Sequence, residues 1–188
     1  MTYVSYGLKQ EVTEESLTPI GSDSTYRVPS NDNDDVQDGA NADPWIGTDF
    51  DDSAWTTGPT PHGFGATGAD PYYSLIATDL RDELYAENTT VYIRIPFQVD
   101  DPSAFAKLVL RMNYDDGFVA YLNGDPEPIA ESKSPSSNVL DFNSAATGSN
   151  SDSNALAGED FAINTTLLNV GENFALINLP TRVIGNAD

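Results

Sequence analysis

The richest concentration of oxygen ligands in the chain lies in an acidic run, where Asp32, Asp34, Asp35 and Asp38 crowd together and Asp43, Asp49, Asp51 and Asp52 follow. Hard cations take about six to eight oxygens from carboxylates and carbonyls, and irregular loops rich in Asp, Asn and Gly supply them. A structural calcium held among Asp32, Asp34, Asp35, Asp38, Asp49, Asp51 and Asp52 is therefore one expectation. The order of these residues does not match an EF-hand loop, so a solvated acidic face is the competing reading. A second group is aromatic. Tyr72, Tyr73 and Tyr85 are the aromatics least explained by strand alternation, and Asp70 and Arg81 neighbour them. Aromatic faces stack on pyranose rings while nearby polar groups bond hydroxyls, so these five residues are the expected glycan contacts, with loop packing as the alternative. Nucleophilic chemistry is harder to build. The only histidine, His62, stands in a Gly/Pro loop without a serine on a sharp turn, and the absence of cysteine removes thiolates, disulfides and thiolate metal sites. Phosphate loops, dinucleotide fingerprints and metalloprotease helices are missing too. The expected protein is not an enzyme.

Strands must position these groups, and they are clear after Glu87. In Val91-Tyr92-Ile93-Arg94-Ile95-Pro96-Phe97-Gln98-Val99 every odd position is apolar and the even ones are mostly polar, the period of a strand with one wet face. Pro96 on the even face marks an edge or a bulge. Leu108, Leu110, Met112 and Tyr114 alternate with Lys107, Arg111 and Asn113 in the next strand. A turn at Asp115-Asp116-Gly117 leads into Phe118 to Leu122, and Asn123-Gly124 suits the positive φ angles of a type I′ turn that starts a hairpin return. The two aspartates are expected to bond turn amides, and Gly117 to adopt a backbone conformation closed to other residues. Asp160 to Ile163 and Phe174 to Leu179 read as further strands, the last apolar on both faces and so central.

Between them, Glu131 to Glu159 is Ser/Asn/Asp-rich and reads as an extended surface excursion. Upstream, one or two edge strands are expected within residues 1–30, followed by an acidic loop. The aromatics of residues 43–73 then plug one end of the fold without a strand period, Trp55 among them as a core plug. Helix is limited to a turn or two near Ser74 to Leu84. The sum is an all-β chain: a single domain over residues 1–188, built as a two-sheet antiparallel β-sandwich of jelly-roll type. N-terminal strands and the acidic loop occupy 1–42, and the jelly-roll body with its long loop 131–159 occupies 43–188.

Composition bounds the partners. The 188 residues carry 8 Lys+Arg against 30 Asp+Glu, a net charge of -22. Eight cations spread over the chain cannot assemble a basic patch, which excludes nucleic acid and anionic lipid surfaces. No run of about 18 apolar residues is present for membrane insertion. Residues Met1 to Gln10 lack the cationic and apolar order of a signal peptide. Acidic surfaces keep proteins soluble in salt, which fits an extracellular or cell-surface setting.

Three segments in order carry a resemblance: Asp52-Ser53-Ala54-Trp55 followed by the Gly/Pro loop from Gly58 to Gly65; Thr90 to Val99 running into Asp101-Pro102; and Asp115-Asp116-Gly117 through Tyr121-Leu122-Asn123-Gly124, joined later by Val170 to Ala175. Over roughly residues 45–180 the chain resembles the galactose-binding-like jelly-roll domains of large secreted bacterial proteins, similar to the sugar-binding domain of family-two glycoside hydrolases. That resemblance implies a β-sandwich, a carbohydrate-binding accessory role with a glycan or polysaccharide partner, and a structural calcium. Such domains usually end on a further polar turn and apolar strand. This chain stops at Asn186-Ala187-Asp188, so the final strand is expected to be lacking or exchanged with a neighbour. The alternative function is accordingly a self-assembling structural subunit with an open sheet edge.

Overall fold

The computed structural model describes residues 13–29, 44–65, 72–135 and 143–180. The strand expected near residues 2–6, the acidic run 31–42 and the segment after Pro180, where the final strand is in question, fall outside them. In chain order the strands are β1 (Asp23–Arg27), β2 (Thr56–Pro59), β3 (His62–Gly63), β4 (Thr78–Asp79), β5 (Thr90–Val99), β6 (Leu108–Met112), β7 (Phe118–Leu122), β8 (Ala130–Ser132), β9 (Glu159–Ile163) and β10 (Gly171–Pro180). Two short helices, α1 (Arg81–Leu84) and α2 (Asp152–Ala157), interrupt them. The fold is an all-β sandwich.

A six-stranded antiparallel sheet in the order β2-β1-β5-β10-β7-β8 forms one layer. β10 runs along the whole of β5, Gly171 opposite Val99 and Pro180 opposite Thr90, which makes it the central strand its two-sided apolarity predicts. The pair β6–β9 faces this sheet: Ile93, Ile95, Phe118 and Ile177 pack against Met112, Leu110 and Phe161, with the Phe118 and Phe161 rings 5.3 Å apart. Farther along, Phe97, Val99, Leu122 and Leu168 continue the interior against Leu108 and Ile163.

The other face of the large sheet is where the structure departs from the pattern. The even positions of β5 are not a wet face: Tyr92 is 0% and Arg94 1% exposed, and only Pro96 and Gln98 reach solvent. The chain around Trp45 to Trp55 folds over them, with Trp45 edge-on to Tyr92 and Tyr121 at 5.0 and 5.9 Å, and Trp55 edge-on to Phe50. Trp55 is thus a partly buried plug, as expected, but of a sheet face rather than of one end. Pro96 sits beyond the β1 pairing, which stops at Arg94, so that side of β5 is an edge there among the described residues.

Three further expectations are corrected. β1 pairs on both sides, with β2 and β5, and is no edge; the edge is β2, inside a stretch that lacked a readable strand period because it spans only four residues. The excursion 131–159 contains α2, held by a Ser151 N-cap and by Gly158 at φ 69 as C-cap. Gly117 does not have a positive φ; a Cβ there would stand 2.6 Å from the Lys133 carbonyl oxygen and 2.9 Å from that of Ser132. Close approach of β8 to the start of β7, rather than left-handed backbone, demands glycine. Asn123 and Gly124, at φ 53 and 81, do take the conformations that Asn-Gly predicts.

Candidate functional site

The turn from Tyr114 to Gly117 presses against the end of β8, and that contact delivers Lys133, whose own φ is 48. A left-handed backbone at a lysine is unfavourable without a compensating role. Here the side chain is fixed twice over: Nζ donates to Asn150 Oδ1 at 2.8 Å and lies 5.4 Å over the Tyr114 ring. Asn150, 8% exposed, donates through Nδ2 to the Tyr114 carbonyl at 2.9 Å, while its backbone N–H donates to Asp116 Oδ1 at 3.1 Å. Asp116 therefore holds an amide of a distant loop.

Tyr114 OH donates to Glu159 Oε2 at 2.8 Å and shares a hydrogen bond with Ser132 Oγ at 2.9 Å. Asn113 Nδ2 donates to the carbonyls of Ala155 and Leu156, and Arg111 Nη2 to that of Ala157, which pins the end of α2 beside β6. Together these groups bound a pocket of about 260 Å³ lined by Tyr114, Lys133, Asn150, Asn154, Gly158 and Glu159.

Beside the pocket, the Asp115 carboxyl is pushed up to about 7, first by desolvation, then by the hydrogen bond and charge of Asp116 and by the charge of Asp152; a hydrogen bond from Tyr72 opposes the shift. Tyr72 thus bonds the Asp115 carboxyl, and none of the expected glycan contacts among the described residues lines the pocket. Tyr73 and Arg81 are engaged otherwise: Tyr73 opens a 3₁₀ turn, and Arg81 stacks 4.5 Å over the ring of Tyr85 while donating to the Gly65 carbonyl at 3.0 Å. Tyr85, 48% exposed and met edge-on by Phe64 at 6.2 Å, is a braced aromatic on another part of the surface. Asp70 lies outside the described residues.

The acidic residues nearest Trp55 are already engaged. Asp52 Oδ2 accepts from Thr25 Oγ1 at 2.7 Å and from Arg94 Nε at 2.9 Å, and Asp51 Oδ1 accepts from the Ser53 amide at 3.1 Å; Asp49 is exposed. Arg94 also donates to the carbonyls of Trp45 and Gly47 and lies between the rings of Phe50 and Phe174. This clasp fastens the covering loop to the sheet. Among the described residues no group of three or more His, Asp or Glu side chains is placed to hold a metal. Asp49, Asp51 and Asp52 form no such group with described residues, and the other members of the expected calcium set, Asp32, Asp34, Asp35 and Asp38, lie outside the described residues.

His62 offers no catalytic unit among the described residues. Its Nε2 is 3.3 Å from Ser24 Oγ, but Ser24 is 4% exposed and its hydroxyl donates to the Gly58 carbonyl. Burial pushes the imidazole down to about 4, so it is neutral at physiological pH and packs edge-on to Tyr26 at 5.2 Å.

The pocket was not legible as a set, because its walls come from four segments between residues 114 and 159 with no common spacing. The readable signal was Ser151 with Gly158 seven positions later, a capped helix start and stop inside a run otherwise read as loop.

The fold that carries this pocket is an antiparallel all-β sandwich. No family model and no curated protein matches the sequence. Among solved structures, a beta-glucuronidase from an uncultured Clostridium matches with a TM-score of 0.50 and 16% identity over 93% of this chain, which corresponds to 24% of that enzyme. A glycosyl hydrolase family 2 member from Bacteroides cellulosilyticus (TM-score 0.46, 12% identity, 88% of this chain and 18% of that one) and a Bifidobacterium dentium beta-glucuronidase (0.43, 16%, 87% and 20%) are similar as well. The likeness is one of fold, and this chain spans about a quarter of the first of these enzymes. No helix among the described residues is long and apolar enough to cross a membrane.

Proposed function

We propose that the chain is a non-catalytic carbohydrate-binding accessory module of an extracellular or cell-surface protein, and that it holds a sugar ring in the pocket beside the Asp115 turn. The observation that carries this reading is the pocket itself: about 260 Å³, polar, and walled by an ammonium, two asparagines and a carboxylate on a sandwich scaffold. Ligand pockets for drug-sized molecules run from about 300 Å³ upward, so this one suits a single ring or a chain end. Lys133 and Asn154 can donate to hydroxyls and Glu159 can accept from them, while the Tyr114 ring supplies an aromatic wall.

Titration of the full chain with monosaccharides and affinity gels of polysaccharides tests the reading. Lys133→Ala is expected to weaken binding at least about tenfold, the equivalent of one good hydrogen bond to a charged group. Tyr85→Ala is expected to leave it unchanged. A loss confined to Tyr85→Ala would move the site to the Arg81–Tyr85 stack, and turnover of a glycoside would overturn the non-catalytic part. The calcium proposal stands on the composition of residues 32–38; it requires a rise in Tm on adding calcium that EDTA reverses.

Self-assembly has one supporting observation: among the described residues β6 and β9 pair only with each other, so each has an outer edge, and Val109 on β6 is 36% exposed. Concentration-dependent mass in sedimentation would favour it, and a monomer at millimolar concentration would remove it.

A further inference from the structure

The charges around the pocket are lopsided. Its one ammonium, Lys133 Nζ, is already held by Asn150 Oδ1 and the Tyr114 ring. Against it stand Glu159 in the wall, Asp116 behind the Asn150 amide and Asp152 in the first turn of α2, while the Arg111 guanidinium beside Gly158 is paired with Asp160 at 3.2 Å. Glu159 is the member that can meet a ligand. It is exposed, and its hydrogen bond from Tyr114 engages Oε2, which leaves Oε1 open to accept from a cation entering the pocket. Lys133 comes from the end of β8 and Glu159 from the start of β9, so a bound ring meets an ammonium and a carboxylate supplied by different strands. A ring presenting its hydroxyls to Lys133 and a positive group to Glu159 matches both walls. A ring carrying a carboxylate meets the Glu159 carboxylate in the wall, with Asp116 and Asp152 close by, in a chain whose net charge is -22.

Resting on the sugar-binding reading above, we propose that the pocket selects an amine-bearing sugar and rejects a uronate, with Glu159 as the specificity-determining residue. The ammonium of a hexosamine bonds Glu159 Oε1 as a charge-assisted pair, and the remaining acids add a favourable field for that charge.

The test is titration of the full chain with glucosamine, N-acetylglucosamine, glucose and glucuronate at pH 6, where the free amine is protonated, in low salt and again in about 0.5 M NaCl. Glucosamine is expected to bind about tenfold tighter than glucuronate, with the two uncharged sugars between. The spread should narrow in high salt as screening shortens below about 10 Å. Glu159→Gln, nearly isosteric and exposed, should remove the glucosamine advantage over N-acetylglucosamine, whereas Tyr85→Ala, on another part of the surface, should leave the ranking of the four sugars as it is. Glucuronate binding as well as or better than glucosamine overturns the selectivity while leaving sugar binding standing. Absence of binding by all four overturns the sugar reading and the selectivity together. The wild-type ranking decides the matter even where the variant folds poorly.

Discussion

Arg94 is a charged residue with 1% exposure in the middle of β5, and its surroundings explain how the sheet tolerates it. Asp52 neutralises it, two carbonyls of the covering loop accept from it, and two aromatic rings flank it. Removing one partner of such a pair leaves an uncompensated charge, at a cost of about 3–5 kcal/mol when the pair is fully buried. Asp52 is 27% exposed, so Asp52→Asn should cost less, about 1–3 kcal/mol by urea unfolding, and Arg94→Ala more than Asp52→Asn.

Two other residues give opposed pH effects. Burial holds His62 at about 4 against an ordinary 6.5, so the unfolded chain takes a proton that the folded one refuses, and stability falls as pH drops through that window. Asp115 is raised from 3.8 to about 7, so stability present in acid is lost as pH rises through 7. Asp115→Asn, which mimics the protonated acid, should match the wild-type Tm near pH 4 and exceed it near pH 8. A Tm difference that does not change with pH would show that Asp115 is not desolvated.

The Asn123-Gly124 corner shows why an element can need more of a residue than its turn propensity. Asn123 takes φ 53, and its side chain also donates to the Leu167 carbonyl and to Asn173 Oδ1 while accepting from the Phe174 amide. Asn173, 0% exposed, in turn bonds both N–H and C=O of Asn169 and the Gly171 carbonyl. The β7–β8 turn and the β9–β10 loop are thereby one hydrogen-bonded unit. Asn123→Gly keeps the backbone and loses the bonds, which should cost about 1–3 kcal/mol, the penalty of buried groups left unsatisfied. Asn123→Ala should cost about 1 kcal/mol more, because alanine resists left-handed backbone. Gly117→Ala forces a Cβ onto the β8 backbone and is expected to cost about 1–3 kcal/mol and to displace Lys133 from the pocket wall. Equal stability of Asn123→Gly and wild type would mean that the corner is held by its φ angles alone.

Over the entire molecule, a charge of -22 on 188 residues makes self-repulsion a standing cost of folding. Raising monovalent salt from about 0.01 to 0.15 M shortens the screening length from about 30 to 8 Å. Tm is therefore expected to rise over that range, and to the same extent with sodium or potassium. A flat response would mean that the acids are spaced widely enough not to repel. The unequal layers, six strands against two among the described residues, also fix where apolar cover is needed. The large sheet is buried on both sides, by β6–β9 on one and by the Trp45 loop on the other.

Much of this was readable locally. The period of two in residues 91–99, the Asn-Gly corner and the two-sided apolarity of Phe174 to Leu179 each determined an element, because strand and turn preferences act between residues close in sequence. The polar even face of β5 misled for the same reason: alternation says which side a residue points to, but not what another segment lays over it. Tyr92 and Arg94 are buried by a loop more than forty positions away. Tyr72 stands out in the sequence as an aromatic without a strand role, and its bond to Asp115 does not follow from the spacing of the two. The amino acids by themselves settled the long strands after residue 90, the Asn-Gly turn and the sign of the surface. Tertiary structure alone decided which carboxylates lost water and where a pocket opened, because desolvation and enclosure depend on neighbours brought together only when the layers close.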